Sequence, residues 1–360
     1  MQRKQIISLD GKIKIKYSDI QNVCMTGSIY ALLQYLLLFD DETVMHKTCY
    51  MVGNAVNEEI SSKLPAIHFQ GKQTGTLWTP SRWLYKLYLR LSRDIRFPFL
   101  KRAKIYGHDM GFLAPLIGKR DYFFLSDGPL CMSQNMQENS AEYQRQLRKH
   151  RTMTGRMEGF LYGKVAIWTW GNNDQCKEFY MTEENRSVSF KDKPVHIRSL
   201  KEMWDESSNE KKQFIQYVFN VTKEDLTLLK SKNLMFLTQP MIKDGILYEN
   251  EYIDVLNNIF SRYDTSQMLL KLHPRDDFDY KKHFPQIDVY SKPVNMQLLV
   301  LLGTNVERAI TICSSSVNSF PESVEVDWFG VGLHPKLEKY FGTPVPPYRR
   351  HNTCQHLTKH

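Results

Sequence analysis

The strongest chemical signal in the chain is the run Lys271-Leu272-His273-Pro274-Arg275. It brings an ammonium, an imidazole and a guanidinium close together, and in a strand Lys271 and His273 would point to one face. Cations placed in this way can neutralise a phosphate, and a histidine can also donate a proton to a departing phosphate. Taken by itself, the run also fits a surface turn with solvated charges. A second His-Pro pair, His334-Pro335, precedes a helix-like segment and is interpreted as a turn.

Hydroxyl and amide groups follow two other apolar runs. Ser314-Ser315-Ser316 comes after a strand-like segment, and Gln239-Pro240 comes after another. Serine hydroxyls together with the amides of a helix N-terminus form an anion site. The alternative for the serines is helix capping without a ligand.

Two carboxylates could take a proton from a hydroxyl nucleophile. Asp127 lies in Leu125-Ser126-Asp127-Gly128, and Glu251 opens a predicted helix. Their alternative roles are those of a turn aspartate and a helix-start acid. Asp277-Phe278-Asp279 matches the Asp-x-Asp pattern of metal-dependent glycosyltransferases, but its run of mixed charges favours a chance match. No metal is therefore expected.

Strand-like and helix-like runs alternate along the chain, which predicts an α/β fold. Asp127, Gln239, His273 and Ser314 each follow the carboxyl end of a predicted strand, where open α/β sheets bind ligands. The predicted strands include 20–25, 122–125, 165–170, 234–237, 268–272, 309–313 and 324–331. The predicted helices include 29–38, one that begins at Pro80, 251–263 and 296–302. We place a domain boundary near residue 225, between domains 1–225 and 226–360.

The segment from Pro80 to Lys104 is rich in basic residues. It also carries an apolar stripe at helical spacing, which we expect to pack inward. The stripe comprises Leu84, Leu87, Tyr88, Leu91 and Ile95. Basic side chains and aromatic rings also suit an anionic membrane surface, so peripheral contact is a second expectation.

The composition narrows the class of protein. The net charge of +9 over 360 residues attracts anionic partners without choosing among them. The longest apolar run, 28–39, is shorter than the about 20 residues of a membrane-spanning helix, and no signal peptide is recognisable. These features favour a cytoplasmic protein. No P-loop, no Gly-x-Ser-x-Gly elbow and no nucleic-acid-binding motif occurs.

The ordered set of motifs resembles the bacterial sialyltransferases of glycosyltransferase family 52, which make lipooligosaccharide and capsular sialosides. The set consists of Thr238-Gln239-Pro240, the run from Lys271 to Arg275, and the serines from Ser314 to Ser316. The Asp-Gly, His-Pro and serine motifs are shared with the bacterial polysialyltransferases. The resemblance covers residues 230–335 best and is thinner over 20–130.

The resemblance implies a GT-B fold with two Rossmann-like domains facing across a cleft, the first on the acceptor side and the second binding the nucleotide sugar. It implies transfer of sialic acid from CMP-sialic acid to a sugar hydroxyl of a glycan or glycolipid, with inversion and without a cofactor or an essential metal. His273 would contact or protonate the CMP phosphate, Pro274 would shape that turn, and the serines would bind the same phosphate or the sialic carboxylate. The remaining donor-side residues would be Gln239, Pro240, Lys271 and Arg275. The acceptor-side residues would be Thr26, Gly27, Ser28 and Gly128.

The two related families point to different bases. The polysialyltransferases carry an acidic pair before the glycine, and here Ser126 replaces its first member, which leaves Asp127. In family 52 the base lies at the start of the helix between the Gln-Pro and His-Pro motifs, which matches Glu251. Both residues remain candidates.

Two rival classes stay open at the level of sequence. One is a GT-B glycosyltransferase with another nucleotide sugar, and the other is a basic, non-enzymatic nucleic-acid-binding protein. We favour the sialyltransferase and expect no nucleic-acid partner. The sequence leaves room for a homodimer and does not define the acceptor sugar or the linkage.

Overall fold

A computed structural model describes residues 5–8, 11–53, 56–69, 80–108, 113–126, 144–145, 148, 151–162, 171, 173–182 and 193–341. The chain divides into two compact units, Met1–Asn220 and Val221–His360. The division lies a few residues before the boundary that we placed near residue 225.

Unit 1 is built on a parallel sheet. Its strands are β1 (Gln5–Ile7), β2 (Lys14–Lys16), β3 (Asn22–Thr26), β4 (Thr48–Val52), β5 (Ala66–His68), β6 (Lys104–Gly107), β7 (Tyr122–Leu125), β8 (Cys176–Met181) and β9 (Val195–Ile197). Within the described ranges, β1 and β2 form an antiparallel pair and the other seven strands form one parallel sheet, in the order β5-β4-β3-β6-β7-β8-β9. The direction of winding reverses between β3 and β6, as in a doubly wound fold.

The helices of unit 1 connect these strands. They are α1 (Ile29–Leu38), α2 (Glu58–Ser61), α3 (Pro80–Arg96), α4 (Ala114–Ile117), α5 (Met153–Tyr162), α6 (Leu200–Asp205) and α7 (Asn209–Val218), with a π-helical turn at Thr43–Lys47 and a 3-10 turn at Pro98–Lys101. Helix α1 follows β3 directly and is buried from Tyr30 to Leu37, which explains its almost uninterrupted apolar sequence. The exception, Gln34, donates its side-chain amide to the Tyr180 carbonyl at 3.0 Å.

Unit 2 repeats the same architecture with fewer strands. Its strands are β10 (Leu234–Leu237), β11 (Met268–Lys271), β12 (Asp288–Tyr290), β13 (Arg308–Thr311) and β14 (Glu325–Trp328). They form a parallel sheet in the order β12-β11-β10-β13-β14, so the winding reverses between β10 and β13. The helices are α8 (Lys223–Lys230), α9 (Glu249–Phe260), α10 (Tyr280–His283), α11 (Met296–Leu301) and α12 (Pro335–Phe341), with 3-10 turns at Thr265–Gln267, Ser315–Ser319 and Val331–Leu333.

An aromatic cluster packs α9 against the sheet of unit 2. The ring of Phe260 lies 5.1 Å from that of Phe236 on β10 and 5.0 Å from that of Phe284, both in edge-to-face geometry. Burying large rings in this way supplies much of the apolar contact of a small domain. The cluster therefore fixes the C-terminal end of α9 against β10.

The predicted α/β class is confirmed by these sheets. Helix α1 and strands β7 and β10 have the predicted bounds, and α9, α11, β3, β11, β13 and β14 differ from them by a few residues at their ends. The predicted strand over 165–170 lies outside the described residues. The sequence analysis names no strand at the positions of β1, β2, β4, β5, β6, β8, β9 and β12.

The expected inward packing of the α3 stripe is wrong. Leu84, Leu91 and Ile95 are 66%, 69% and 77% exposed, whereas Leu89 is fully buried. The helix is turned in this way because Arg93, on the same side as Leu89, donates to the Pro115 carbonyl at 3.0 Å. Tyr88 is half-exposed and Leu87 half-buried.

A glycine makes this docking of α3 sterically feasible. A Cβ atom at Gly118 would lie 1.7 Å from Nη1 of Arg93, and the φ of Gly118 is +64°. Glycine alone tolerates both conditions, because it lacks a Cβ and adopts positive φ readily. Helical periodicity finds an apolar face, but such a buried polar contact can turn that face outward.

Among the helices that the structure describes, none has the length and apolar character required to cross a membrane.

We predict that Gly107→Ala destabilises unit 1 and that Gly27→Ala does not. A Cβ at Gly107 would lie 2.1 Å from the Met25 carbonyl oxygen of β3, whereas nothing lies within 4 Å of a Cβ at Gly27. Overpacking of this kind typically costs about 1–3 kcal/mol. Thermal unfolding of both variants measures the difference, and equal melting temperatures would contradict the close approach of β3 and β6.

Candidate active site

The carboxyl ends of three strands of unit 2 meet in one row. In the sheet register, Leu237 of β10 is paired with Lys271 of β11 and with Thr311 of β13. The residues that follow these strands therefore emerge at the same edge of the sheet, on either side of the position where the winding reverses. The structure thus brings Gln239, His273 and the serine run to one edge.

His273 is held through its backbone and its ring. Its N–H donates to Oγ1 of Thr238 at 3.0 Å, and its Nδ1 accepts the backbone N–H of Arg275 at 3.1 Å. Because Nδ1 is an acceptor, the proton of the neutral ring lies on Nε2. The ring is half-buried, and burial, followed by the nearby charges of Arg275 and Lys271, lowers the pKa of His273. At neutral pH the residue is thus a hydrogen-bond donor through Nε2–H.

A buried hydroxyl network supports the backbone of this turn. Thr238 Oγ1 donates to Oδ2 of Asp276 at 2.6 Å, and the Tyr280 hydroxyl donates to the same oxygen at 2.8 Å. The Tyr280 hydroxyl also lies 2.8 Å from that of Tyr252 on α9. Burial raises the pKa of the Asp276 carboxyl. The network links β10, β11, α9 and α10. Sequence reasoning includes Thr238 only as a part of the Thr238-Gln239-Pro240 motif, and it misses Tyr252, Asp276 and Tyr280, because two tyrosines and an aspartate at these spacings match no motif.

The two cations of the His-Pro run are engaged within the protein. Nζ of Lys271 donates to the carbonyls of Leu272 and Lys292 at 2.8 and 3.2 Å, and burial lowers the pKa of Lys271 to about 8. The Arg275 guanidinium binds both oxygens of Asp244, at 2.7 and 3.0 Å. Both side chains therefore bring positive charge to this edge while donating hydrogen bonds within the protein.

Gln239 and Cys313 join the ends of β10 and β13. The thiol of Cys313 donates to Oε1 of Gln239 at 2.7 Å, and burial raises the pKa of Cys313 to about 12. The contact orients the Gln239 side chain at the reversal point of the sheet. Pro240 follows directly, and its carbonyl accepts the N–H of Asp244, which closes the turn that carries the Arg275 partner.

The three serines of the run differ in burial and in role. Ser314 is buried, and its Oγ accepts the N–H of Ser316 at 3.4 Å as the cap of the turn Ser315–Ser319. The N–H of Ser314 donates to Oγ1 of Thr311 at 3.0 Å. Ser315 and Ser316 are exposed at the surface of the same edge. Capping thus accounts for Ser314, while the other two hydroxyls remain accessible.

Glu251 lies at the start of α9, as predicted, and both of its carboxylate oxygens are bonded. Oε1 and Oε2 lie 2.6 and 2.7 Å from Nζ of Lys336, and Oε2 also accepts the N–H of Tyr248 at 2.8 Å. His334 Nε2 lies 3.9 Å from Oε1. The hydrogen bond from Lys336, followed by that from Tyr248, lowers the pKa of Glu251.

Unit 1 carries the remaining predicted residues. Ser28 caps α1, because its Oγ accepts the N–H groups of Tyr30 and Ala31 at 3.1 and 3.3 Å, and Oγ1 of Thr26 accepts the N–H of Ser28 at 2.9 Å. Gly27 lies between them in open space. Thr26 to Ser28 thus form the turn after β3, at the reversal point of the unit 1 sheet.

Ser126 is fully buried after β7. Asp127 and Gly128 lie outside the described residues. The Asp277-Phe278-Asp279 pattern is used structurally, since Asp277 pairs with Lys243 at 2.9 Å and Asp279 accepts the N–H of Lys282 at 3.2 Å as the cap of α10.

Comparison with known proteins connects these motifs to a family. The model of "Glycosyltransferase family 52" matches residues 111–337, which is more than half of the chain. The chain belongs to glycosyltransferase family 52. The match includes Asp127, Glu251, both His-Pro turns and the serine run, whereas Thr26 to Ser28 precede it.

One curated relative, an uncharacterized protein of Haemophilus influenzae, is 33% identical over 178 residues, which make up 49% of this chain. The matched region spans 58% of the length of that relative, so the two proteins are similar over little more than half of it.

Solved structures agree with the predicted GT-B fold class. A sialyltransferase from Photobacterium damsela is similar with a TM-score of 0.52 and 13% identity, over 86% of this chain and 74% of the other. The GT-B domain of a sialyltransferase from Photobacterium damselae is similar with a TM-score of 0.50 and 14% identity, over 89% and 96% of the two chains. At this identity the likeness establishes the fold of this family 52 chain.

Proposed function

We propose that the protein is an inverting glycosyltransferase that moves sialic acid from CMP-sialic acid to a sugar hydroxyl of a cell-surface glycan. Lipooligosaccharide and capsule are the acceptors proposed, and no metal or cofactor is required. The observation that carries the proposal is the fixed Nε2–H of His273 at the carboxyl edge of the unit 2 sheet, the edge that also carries the exposed Ser315 and Ser316, in a family 52 chain.

At the donor end, His273 would act on the phosphate that leaves. Departure of CMP breaks the bond between the anomeric carbon and the phosphate oxygen, and the electron pair leaves with the phosphate. The Nε2–H of His273 donates a hydrogen bond to the oxygen on which negative charge develops, and the positive charges of Lys271 and Arg275 stabilise that charge. A donor fixed before the reaction stabilises the transition state without reorganising. Ser315 and Ser316 supply further hydroxyl donors to the phosphate or to the sialic carboxylate.

At the acceptor end, a carboxylate would take the proton of the attacking hydroxyl. The acceptor oxygen bonds to the anomeric carbon from the side opposite the phosphate, which inverts the configuration. Glu251 and Asp127 are the two candidates, and the contacts of Glu251 support an ionised carboxylate ready to accept a proton. Whichever of the two is not the base would then bind the acceptor.

We also propose that the enzyme works at the cytoplasmic surface of the inner membrane. The apolar stripe of α3 is exposed and is continued by α5, on which Met153 and Phe160 are 81% and 76% exposed. Arg90 lies 5.6 Å from the Phe160 ring, and Arg96 lies over Tyr88. We call this surface the α3/α5 face; it comprises Leu84, Tyr88, Leu91, Ile95, Met153, Met157 and Phe160.

Charge favours an anionic lipid surface as the partner of the α3/α5 face. Arg90 and Arg96 lie at this face, whereas the nearby acidic residue Asp94 is already paired with Arg120. Each basic residue near an anionic membrane contributes about 1 kcal/mol at low salt. Two copies of this face would bring like charges together, which disfavours its pairing with itself.

We predict that the protein transfers sialic acid from CMP-sialic acid and that His273→Ala lowers turnover by about two decades or more, the usual effect of losing a positioned donor. Incubation with a panel of galactosides and sialosides, followed by mass analysis, measures the transfer. Arg262→Ala is a control for loss of a basic side chain elsewhere in unit 2, since Arg262 bonds within its own helix end, to Asn258. A folded His273→Ala protein with near-normal turnover would contradict the site. A rise in melting temperature with UDP or GDP but not CMP would indicate another donor.

Base identity is tested by comparing Glu251→Gln with Asp127→Asn. Each substitution removes a proton acceptor at nearly constant volume, so the base variant should lose kcat across the pH range in which the wild-type carboxylate is ionised. The other variant should mainly raise KM for the acceptor. Unchanged kcat in both would mean that a third group is the base.

Membrane binding is tested by sedimentation with vesicles that contain or lack anionic lipid, at low and high salt. We expect binding to anionic vesicles only, weakened by salt. Leu91→Asn/Ile95→Asn and Arg90→Glu/Arg96→Glu should each abolish it while transfer to a small soluble acceptor is kept. Arg93 is left unchanged because it docks α3. Equal binding to neutral vesicles, or a change of oligomeric state in the double variants instead, would contradict the membrane as partner.

A further inference from the structure

The two His-Pro turns of unit 2 have the same local geometry. In the first, Nδ1 of His273 accepts the N–H of Arg275, two residues on, at 3.1 Å; in the second, Nδ1 of His334 accepts the N–H of Lys336 at 3.3 Å. Both rings therefore keep their neutral-state proton on Nε2. The second turn, interpreted from sequence as a plain turn, thus presents a histidine donor and a cation in the same way as the first.

The second turn faces Glu251. Nζ of Lys336 bridges both carboxylate oxygens, at 2.6 and 2.7 Å, and Nε2 of His334 lies 3.9 Å from Oε1. Lys336 also lies 3.9 Å from the centre of the Tyr248 ring. The two residues come from the start of α12, whereas Glu251 and Tyr248 belong to the start of α9. A carboxylate that only capped α9 would need the Tyr248 N–H and no cation from a second element.

Within the part of the chain that the structure describes, the bonds around Glu251 leave one place open. An ionised carboxylate offers about four lone-pair positions. Lys336 takes one on each oxygen, and the N–H of Tyr248 takes the second on Oε2. The remaining position is on Oε1, the oxygen nearest His334, and the Glu251 side chain is 22% accessible. A hydroxyl that donates a proton to Glu251 would therefore approach Oε1.

We propose that the His334-Pro335-Lys336 turn is a positioning element for the base, in which Lys336 keeps the Glu251 carboxylate ionised and turned so that Oε1 receives the acceptor proton. The inference rests on the proposed function, with Glu251 as the base. When the acceptor oxygen attacks, its proton passes to Oε1 while Lys336 retains its own protons. The charged or titratable groups that face the carboxylate in the described structure are Lys336 and His334; Glu249, on the same helix, is directed to His283 and Lys282 instead.

The pH dependence has a definite sign. Lys336 holds the pKa of Glu251 below its ordinary value, so its removal raises that pKa. The ionised base is then lost at a higher pH, and the acid limb of the kcat/KM profile moves to higher pH. A merely structural role would lower kcat/KM without moving this limb.

The experiment compares Lys336→Met, Lys336→Arg and Lys339→Met on the full chain. Lys339 is exposed on the same helix, so its substitution removes the same charge without touching Glu251. We expect Lys336→Met to move the acid limb of kcat/KM for CMP-sialic acid and acceptor to higher pH, so that the ratio of rates at about pH 8 and about pH 5 increases. Lys336→Arg should restore much of the wild-type profile, and Lys339→Met should leave it unchanged.

A second readout does not depend on activity. Carbon-13 labelling of glutamate carboxyls, with Glu251→Gln to assign the signal, follows the titration of Glu251 in each variant by NMR. We expect the midpoint to rise in Lys336→Met and to stay in Lys339→Met. If no variant transfers sialic acid, or if Glu251→Gln keeps its kcat, the proposed function or base fails, whereas the titration still reports the pair. An inactive Glu251→Gln together with an unmoved acid limb and midpoint in Lys336→Met would overturn this inference.

Discussion

The hydroxyl of Thr238 is the contact on which the donor edge of unit 2 depends. The hydroxyl accepts the N–H of His273 and donates to Asp276, and the backbone N–H of Thr238 donates to the Lys271 carbonyl at 3.1 Å. Thr238, directly after β10, therefore holds both Lys271 at the end of β11 and His273 in the turn that follows. Because a buried polar group that loses its partner is costly, this network has few alternative arrangements. The direction of the His273 ring follows from it.

The placement of charge in unit 2 follows a common physical logic. Lys271, Arg275 and Lys336 each donate hydrogen bonds to carbonyls or carboxylates of the protein. Neutral donors accompany them at the same edge, namely the imidazole N–H of His273 and the exposed hydroxyls of Ser315 and Ser316. Because these cationic side chains are already held by the protein, they need not be ordered when a ligand binds, which lowers the entropic cost of binding.

Much of the donor edge could be predicted from sequence because strand ends and short motifs are local signals. The apolar runs of β7 and β10 and the helix α1 have the predicted bounds, and the residues after β10, β11 and β13 share one edge because the sheet is parallel. Among the strands that were missed, β4, β6 and β8 contain polar or aromatic residues that interrupt the apolar pattern. Their place is decided by pairing with neighbours distant in sequence.

Tertiary contacts decided the rest. The rotation of α3 depends on Arg93 reaching Pro115 across the space left at Gly118, and no periodicity within the helix encodes that contact. The contact between Lys336 and Glu251 likewise joins residues that are 85 positions apart in the sequence. The sequence predicts a turn at both His273-Pro274 and His334-Pro335, but only the fold shows that the second turn faces Glu251.

The strand order of the two sheets has a consequence for synthesis on the ribosome. In each of the two parallel sheets, the strand that is translated first lies in the interior of the sheet. Strand β3 lies between β4 and β6, and β10 lies between β11 and β13. One edge of β3 therefore stays unpaired until β6 has been translated, long after β4 and β5 have emerged. Such an apolar, open edge is prone to pair with other chains, and parallel pairing across long loops is slow. The nascent chain thus passes twice through a stage in which a half-covered interior strand is exposed, once for each sheet.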